Sequence, residues 1–262
     1  MRNWFKYTLE NKEDKKFETV LEFTSHQIKR NYSDLDNLFK FAHFNKDFSQ
    51  CIFDYLDTKL YGKCLSIGSG WGHLEYHLSK KFDVTASDIN KEYLKYNNKI
   101  KYIIIDIVSQ KFEINDTYNN IFAPGIIYLF NEKELNIFFN NIRRILDDDG
   151  NFYLFFRSND SVFINFLDNY LLPFEKFLKF FLLKLKKQNL KIQKNHHGFR
   201  RYKDEIEIVM KKNKLKIISR KKEMFEAEYN RSKILKITGL GKLLSLFKLH
   251  PYITIYHLKK LR

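Results

Sequence analysis

The chain has 262 residues, enough for one α/β domain with additions or barely two small ones, and its 44% hydrophobic and 17% aromatic content supplies a sizeable core. Its two cysteines, Cys51 and Cys64, form no C-x-x-C or Cys/His metal spacing, which argues against a disulfide framework or a zinc site and for reduced packing residues. The formal charge of +16 is uneven: residues 1–160 hold 22 Lys and Arg against 23 Asp and Glu, whereas residues 161–262 hold 25 against 8.

A cationic final third calls for an anionic partner, either a phosphorylated substrate, an acidic membrane or a nucleic acid. Lysine outnumbers arginine 37 to 10 and Asn, Ile and Phe are abundant, as A/T-rich codons favour. The asymmetry within the chain therefore carries this argument, and the absolute basicity does not.

The N-terminus, Met1 to Lys6, meets charge again at Glu10 and Lys12 to Lys16, so no signal-peptide core fits and a cytoplasmic location is expected. Residues 1–30 read as helix plus loop. From Ser33 and Asp34, plausible caps, the spacing of Leu35, Leu38, Phe39, Phe48, Ile52, Tyr55 and Leu56 predicts helix. Residues 1–60 are thus expected to form a helical extension ahead of the main domain, residues 61–262.

Lys63 to Ile67 reads as a short buried strand, and Gly72 to Lys80, with Leu74 and Leu78 four apart, as the following helix. Between them stand Gly68, Gly70 and Gly72, which let a ligand approach the backbone closely. Val84 to Ser87 forms a second strand that ends in Asp88, where an α/β nucleotide site holds ribose hydroxyls. A dinucleotide fingerprint would need a third glycine at position 73, which is His73.

The G-x-G-x-G run followed by Asp88 resembles motif I of the class I S-adenosylmethionine-dependent methyltransferases. That resemblance implies a seven-stranded, Rossmann-like α/β/α fold and S-adenosyl-L-methionine as cofactor. It implies cofactor contacts at Ile67, Gly68, Ser69, Gly70, Gly72, Asp88 and Ile89, then Asp106, Ile107 and Ala123 further on. The family usually has Asp or Glu two residues before the first glycine, and this chain has Ser66.

Asn90 to Asn97 reads as a short helix, and Lys101 to Asp106 as a third strand, buried by its β-branched run. In the resembled family a polar residue here bonds the adenine amino group, and Asp106 matches by position. Tyr118 to Gly125 reads as strand four and its loop. Ala123-Pro124-Gly125-Ile126 carries neither the signature of nucleobase N-methylation nor the cysteine of pyrimidine carbon methylation, and Ile126 to Phe130 resembles the small-molecule branch, which makes Tyr128 a substrate contact. Asn131 to Ile145 predicts a capped helix, Asp147 to Gly150 a solvated turn, and Asn151 to Phe156 strand five.

Two insertions follow, at about 158–200 and 222–250. In the first, Val162 to Leu171 and Phe174 to Leu185 form apolar helical faces separated by Pro173, with lysines around them. No uncharged run there approaches the eighteen or so residues that span a bilayer. It reads either as a lid or as an interfacial membrane helix. Tyr202 to Lys212 predicts a helix, Leu215 to Ser219 strand six and Tyr252 to Leu258 an antiparallel strand seven. Both insertions should leave the carboxyl edge of the sheet and form a cationic, apolar cap.

Arg157, Arg200 and Arg201 are candidate anion clamps, with Arg157 and Arg200 assigned to substrate. His196 and His197 are the candidate general bases, and no metal is expected. The resulting expectation is a methyltransferase for a small or lipid-linked anionic acceptor, with peripheral membrane contact through the basic third. An RNA methyltransferase and a degenerate methyltransferase-fold binding module are the alternatives.

Overall fold

The computed structural model describes residues 3–10, 46–95, 99–185, 191–199, 201–224, 232–239 and 252–261. The first strand, β1, spans Asn3–Glu10, where the sequence predicted helix and loop. It pairs antiparallel with β7, Lys191–Phe199, in a separate two-stranded sheet. Alternation in Trp4, Lys6 and Thr8 against Phe5, Tyr7 and Leu9 is too short to show in a helical window, and the partner lies far along the chain. Helix is present later in the proposed extension, as α1, Lys46–Leu56, and the pattern around Leu35 to Phe39 lies outside the described residues.

The main sheet contains β2 (Lys63–Ile67), β3 (Asp83–Asp88), β4 (Lys101–Ile104), β5 (Tyr118–Pro124), β6 (Leu146–Phe156), β8 (Leu215–Met224) and β9 (Tyr252–Lys260). Their order is β4-β3-β2-β5-β6-β9-β8. The first five are mutually parallel, and β9 is antiparallel to both β6 and β8. The fold is therefore the expected seven-stranded, three-layer Rossmann-like arrangement.

Side chains alternate between two apolar layers, as a sheet covered on both faces requires. Leu65, Ile121, Phe152 and Leu154 face α3 (Glu132–Ile145) and α6 (Lys203–Lys212), meeting Phe138, Phe139, Ile206 and Met210. Cys64, Phe122, Tyr153 and Phe155 face α1 and α2 (His73–Leu78), meeting Ile52, Leu56, Leu74 and Leu78. Cys51 and Cys64 are unpaired, and burial raises both thiol pKa values to about 11. Asn131 caps α3 in a full capping box with Glu134.

Several elements differ from expectation. The strand predicted as buried, β4, lies at the sheet edge with Ile104 44% exposed, since among the described residues no strand pairs with its outer side. The short helix expected over Asn90 to Asn97 is present as a 3-10 helix, Lys91–Lys95. β6 begins at Leu146, so the Asp147 to Asp149 triplet lies in the strand. Asn119 donates to Asp147 at 2.6 Å and Lys260 pairs with Asp148 at 3.0 Å. β8 runs five residues past Ser219, because β9 pairs with it along its whole length.

Pro173 does not break the first insertion. α4 (Val162–Phe166) passes through a π turn, Leu167–Leu171, into α5 (Leu172–Leu185). A widened turn ahead of a proline relieves the clash and the lost donor that would otherwise end a helix. This insertion also ends in the strand β7 instead of being wholly helical, while the second contains α7, Lys233–Thr238.

Candidate functional site

The parallel strands β2 to β5 end on one edge, and there the loop after Ile67 bends over the sheet. Gly68, Gly70 and Gly72 have φ of 74°, 53° and 72°, a region that other residues rarely enter. A Cβ on Gly68 would lie 2.4 Å from Ile126 Cδ1, so only glycine lets the loop sit this close to the segment after β5.

The loop is tied to β3 by both chains of atoms. Ser69 N–H donates to the Ser87 carbonyl at 2.8 Å, and Ser87 N–H donates to Ser69 Oγ at 3.0 Å. Ser87 Oγ reaches the Ser66 carbonyl at 2.6 Å. Asp88, at the end of β3, accepts from the N–H groups of Gly70 and Asn90, each at 3.0 Å. Burial raises its pKa while these backbone bonds oppose the shift. These backbone bonds leave an ionised carboxylate a further lone pair for a ligand hydroxyl. Tyr102 O–H donates to the Gly70 carbonyl at 2.7 Å, and Trp71 meets Tyr93 edge-on at 5.1 Å, walling the loop with aromatic rings.

The acid missing at position 66 is supplied from beneath. Ser66 Oγ donates to Glu75 Oε1 at 2.5 Å, and Glu75, in the first turn of α2, is 1% exposed. Among the described residues its buried Oε2 has no hydrogen-bond partner. Burial lifts this carboxyl from the ordinary 4.5 to about 7, with the Ser66 bond opposing and the charge of Asp88 adding to the rise. The hydroxyl stands on the strand and the carboxyl on the helix. Sequence reasoning missed Glu75, although its place beside the Leu74 and Leu78 stripe marked it as a charged residue turned inward.

The remaining expected cofactor positions fall along the same edge. Asp106 is exposed just past β4, where its Oδ1 accepts from Val108 N–H at 3.2 Å. Ile89 is 37% exposed beside Asp88. Ile67, Ile107 and Ala123 direct their side chains into the core, which leaves backbone as what they can offer a ligand.

Across the edge, Tyr128 lies in a 3-10 turn, Ile127–Leu129. Burial, with the Asp88 charge as second cause, pushes its pKa up to about 12, so it is a neutral hydrogen-bonding phenol near the carboxylate. β7 packs against this turn. His196 and His197 lie on β7, His196 opposite Phe5, with side chains outside the described residues. Arg200 also lies outside them.

Two arginines do other work than expected. Arg157 pairs with Asp168 at 2.8 Å, locking the end of β6 to the π turn. Arg201 is 1% exposed, donating from Nε to the Ile127 carbonyl at 2.8 Å and from a terminal nitrogen to the Phe130 carbonyl. It holds the Tyr128 turn from within the protein, near the carboxylates of Glu205, Glu134 and Glu132. Among the described residues no cluster of His, Cys, Asp and Glu is arranged to hold a metal ion.

No protein-family model matches the chain, and no curated protein matches it. Solved structures do. An S-adenosylmethionine-dependent methyltransferase from Anabaena variabilis ATCC 29413 is 15% identical over 96% of this chain and 99% of that one, with a TM-score of 0.58. The glycopeptide N-methyltransferase MtfA complexed with sinefungin is 9% identical over 84% of this chain and 90% of that one, with a TM-score of 0.54. The magnesium protoporphyrin IX methyltransferase of Synechocystis PCC 6803 with bound SAH is 13% identical over 92% and 95%, with a TM-score of 0.53. The chain has the fold of these methyltransferases.

Proposed function

We propose that the chain is an S-adenosylmethionine-dependent methyltransferase acting on a small or lipid-linked anionic acceptor. The observation that carries this reading is the glycine loop, with three left-handed glycines closed over β2 and Asp88 bonded to Gly70 N–H at the end of the next strand. It stands on a fold whose solved examples include complexes with sinefungin and with SAH.

The residues fit the group. Asp88 has acceptor capacity for ribose hydroxyls, and the backbone of Gly68 to Gly72 is open to close approach. Glu75 supplies buried negative potential under the loop, suited to a ligand that carries a sulfonium and an ammonium. When bound, the cofactor supplies an electrophilic methyl group for in-line displacement. The chain's part is then to align a nucleophile with that methyl and to exclude water. Tyr128 can donate to the acceptor from its turn, and one of His196 and His197 takes the proton of a hydroxyl nucleophile.

The anionic character of the acceptor is supported by the excess of 25 basic over 8 acidic residues in 161–262, and by insertions that leave the ligand edge of the sheet. Incubation with labelled donor and a cell extract, partitioned into aqueous and organic phases, tests this. Label in an anionic metabolite or lipid is the expected result, and label confined to RNA overturns the acceptor. His196→Ala and His197→Ala, compared by the pH profile of kcat, test the base; two unchanged profiles remove both histidines from the mechanism.

A further inference from the structure

The first insertion is apolar on two sides: one packs inside the protein, where its second helix, α5, also meets β1, and among the described residues the other carries a row of exposed side chains. Phe163, Ile164 and Leu167 pack with Leu235 of α7, and Leu171 and Leu172 lean on the same cluster. Glu175 fastens the run to α7, accepting from Ile234 N–H at 2.9 Å and from the Ser232 hydroxyl. With the Arg157–Asp168 pair, these contacts fix the helical run to the domain.

The other side faces outward. Phe166, Tyr170, Phe174, Phe177, Phe181 and Leu185 recur every three or four residues and are 47 to 67% exposed. Such spacing places them in one stripe along the length of the run. A lid packed on its own domain would bury this stripe, and a scattered exposed aromatic would need no explanation. A continuous one of this length does.

We propose that this stripe is a membrane-docking surface that lies in the interface of an anionic bilayer. The run carries Lys176, Lys179 and Lys184, and the sequence continues into Lys186 and Lys187 within the strongly basic final third. That charge disfavours a second copy of the chain as occupant, because docking two such faces would bring like charges together, whereas an anionic lipid surface attracts them. Phe and Leu interspersed with Lys is the composition of helices that rest at the headgroup boundary. No helix among the described residues is long and apolar enough to cross a membrane, so the contact is peripheral. β6, which ends where the insertion begins, brings this surface to the edge that carries the glycine loop, so docking would present the site to lipid-borne acceptors. The docking itself does not depend on the methyltransferase reading.

The test is flotation of the full chain with vesicles of phosphatidylcholine alone and of phosphatidylcholine mixed with phosphatidylglycerol. Flotation with the mixed vesicles, weakened by salt and nearly absent with phosphatidylcholine alone, is expected. The triple variant Phe174→Ser/Phe177→Ser/Phe181→Ser should lose at least about tenfold in partitioning while keeping its thermal midpoint. No flotation with anionic vesicles, or equal flotation of parent and variant, overturns the proposal. So does a dimer in sedimentation that the variant abolishes, which gives the stripe to a second copy. Retention on RNA that the variant abolishes also overturns it.

Discussion

The glycine loop and the Val162–Leu185 run rise from the same edge of one sheet and are built on opposite terms. Around the loop nearly every polar atom is bonded inward, with Ser66, Ser69, Ser87 and Asp88 locked to one another or to backbone. Along the insertion large apolar side chains are turned outward. The difference teaches that the two regions meet their ligands differently. The loop is preorganised, so a ligand pays little to order it. The insertion is held through its inner apolar side, its contact with β1 and its polar anchors, and carries an exposed stripe on the other side.

This contrast can be broken by substitution, and the largest effect should come from the anchor between the two regions. Arg201→Ala leaves the Ile127 and Phe130 carbonyls without their donor in a buried site, and should cost about 3 kcal/mol in urea unfolding. A loss below about 0.5 kcal/mol would mean that the Tyr128 turn is held by something else.

Glu75→Gln sharpens the comparison through pH. Burial raises the folded pKa of Glu75 from 4.5 to about 7, so its favourable contribution is complete below the unfolded value and is lost as pH rises through about 7. Parent stability should therefore fall relative to the variant between acid and alkaline conditions, by up to about 3 kcal/mol in the absence of ligand. Donor affinity should move the other way, rising with pH in the parent and staying flat in the variant. Parallel pH profiles of stability for parent and variant would show that Glu75 is not the titrating group.

Gly68→Ala combines a left-handed backbone with a Cβ at 2.4 Å from Ile126 Cδ1. It should cost about 1–3 kcal/mol and weaken donor binding, both measurable on the same preparation. The smallest effect belongs to the stripe: Phe177→Ser alone should change stability by no more than about 0.5 kcal/mol, as at any exposed position. A larger loss would mean the stripe is part of the core.

What could be read in the sequence was local. Gly68, Gly70, Gly72 and Asp88 announce themselves because strand, tight turn and helix follow within one short segment, and the pattern of alternating strands and helices gives the sheet. Asn131 and Glu134, three positions apart, likewise form their capping box within one turn. The misses are all products of distance. β1 becomes a strand only because residues 191–199 come to meet it. Arg201 resembles a surface clamp until the fold sets it under two carbonyls from a turn far upstream. Ser66 reads as a lost acid until α2 returns Glu75 beneath it, a compensation that depends on how the helix packs on β2.

The central claim is that the glycine loop with Asp88 binds an adenosyl sulfonium. Calorimetric titration of the parent and of Asp88→Ala with S-adenosylmethionine tests it most directly. A saturable heat with the parent is expected, weakened about 100-fold in the variant through the loss of charged hydrogen bonds. No heat from the parent at millimolar donor, or an affinity indifferent to the loss of Asp88, would contradict it.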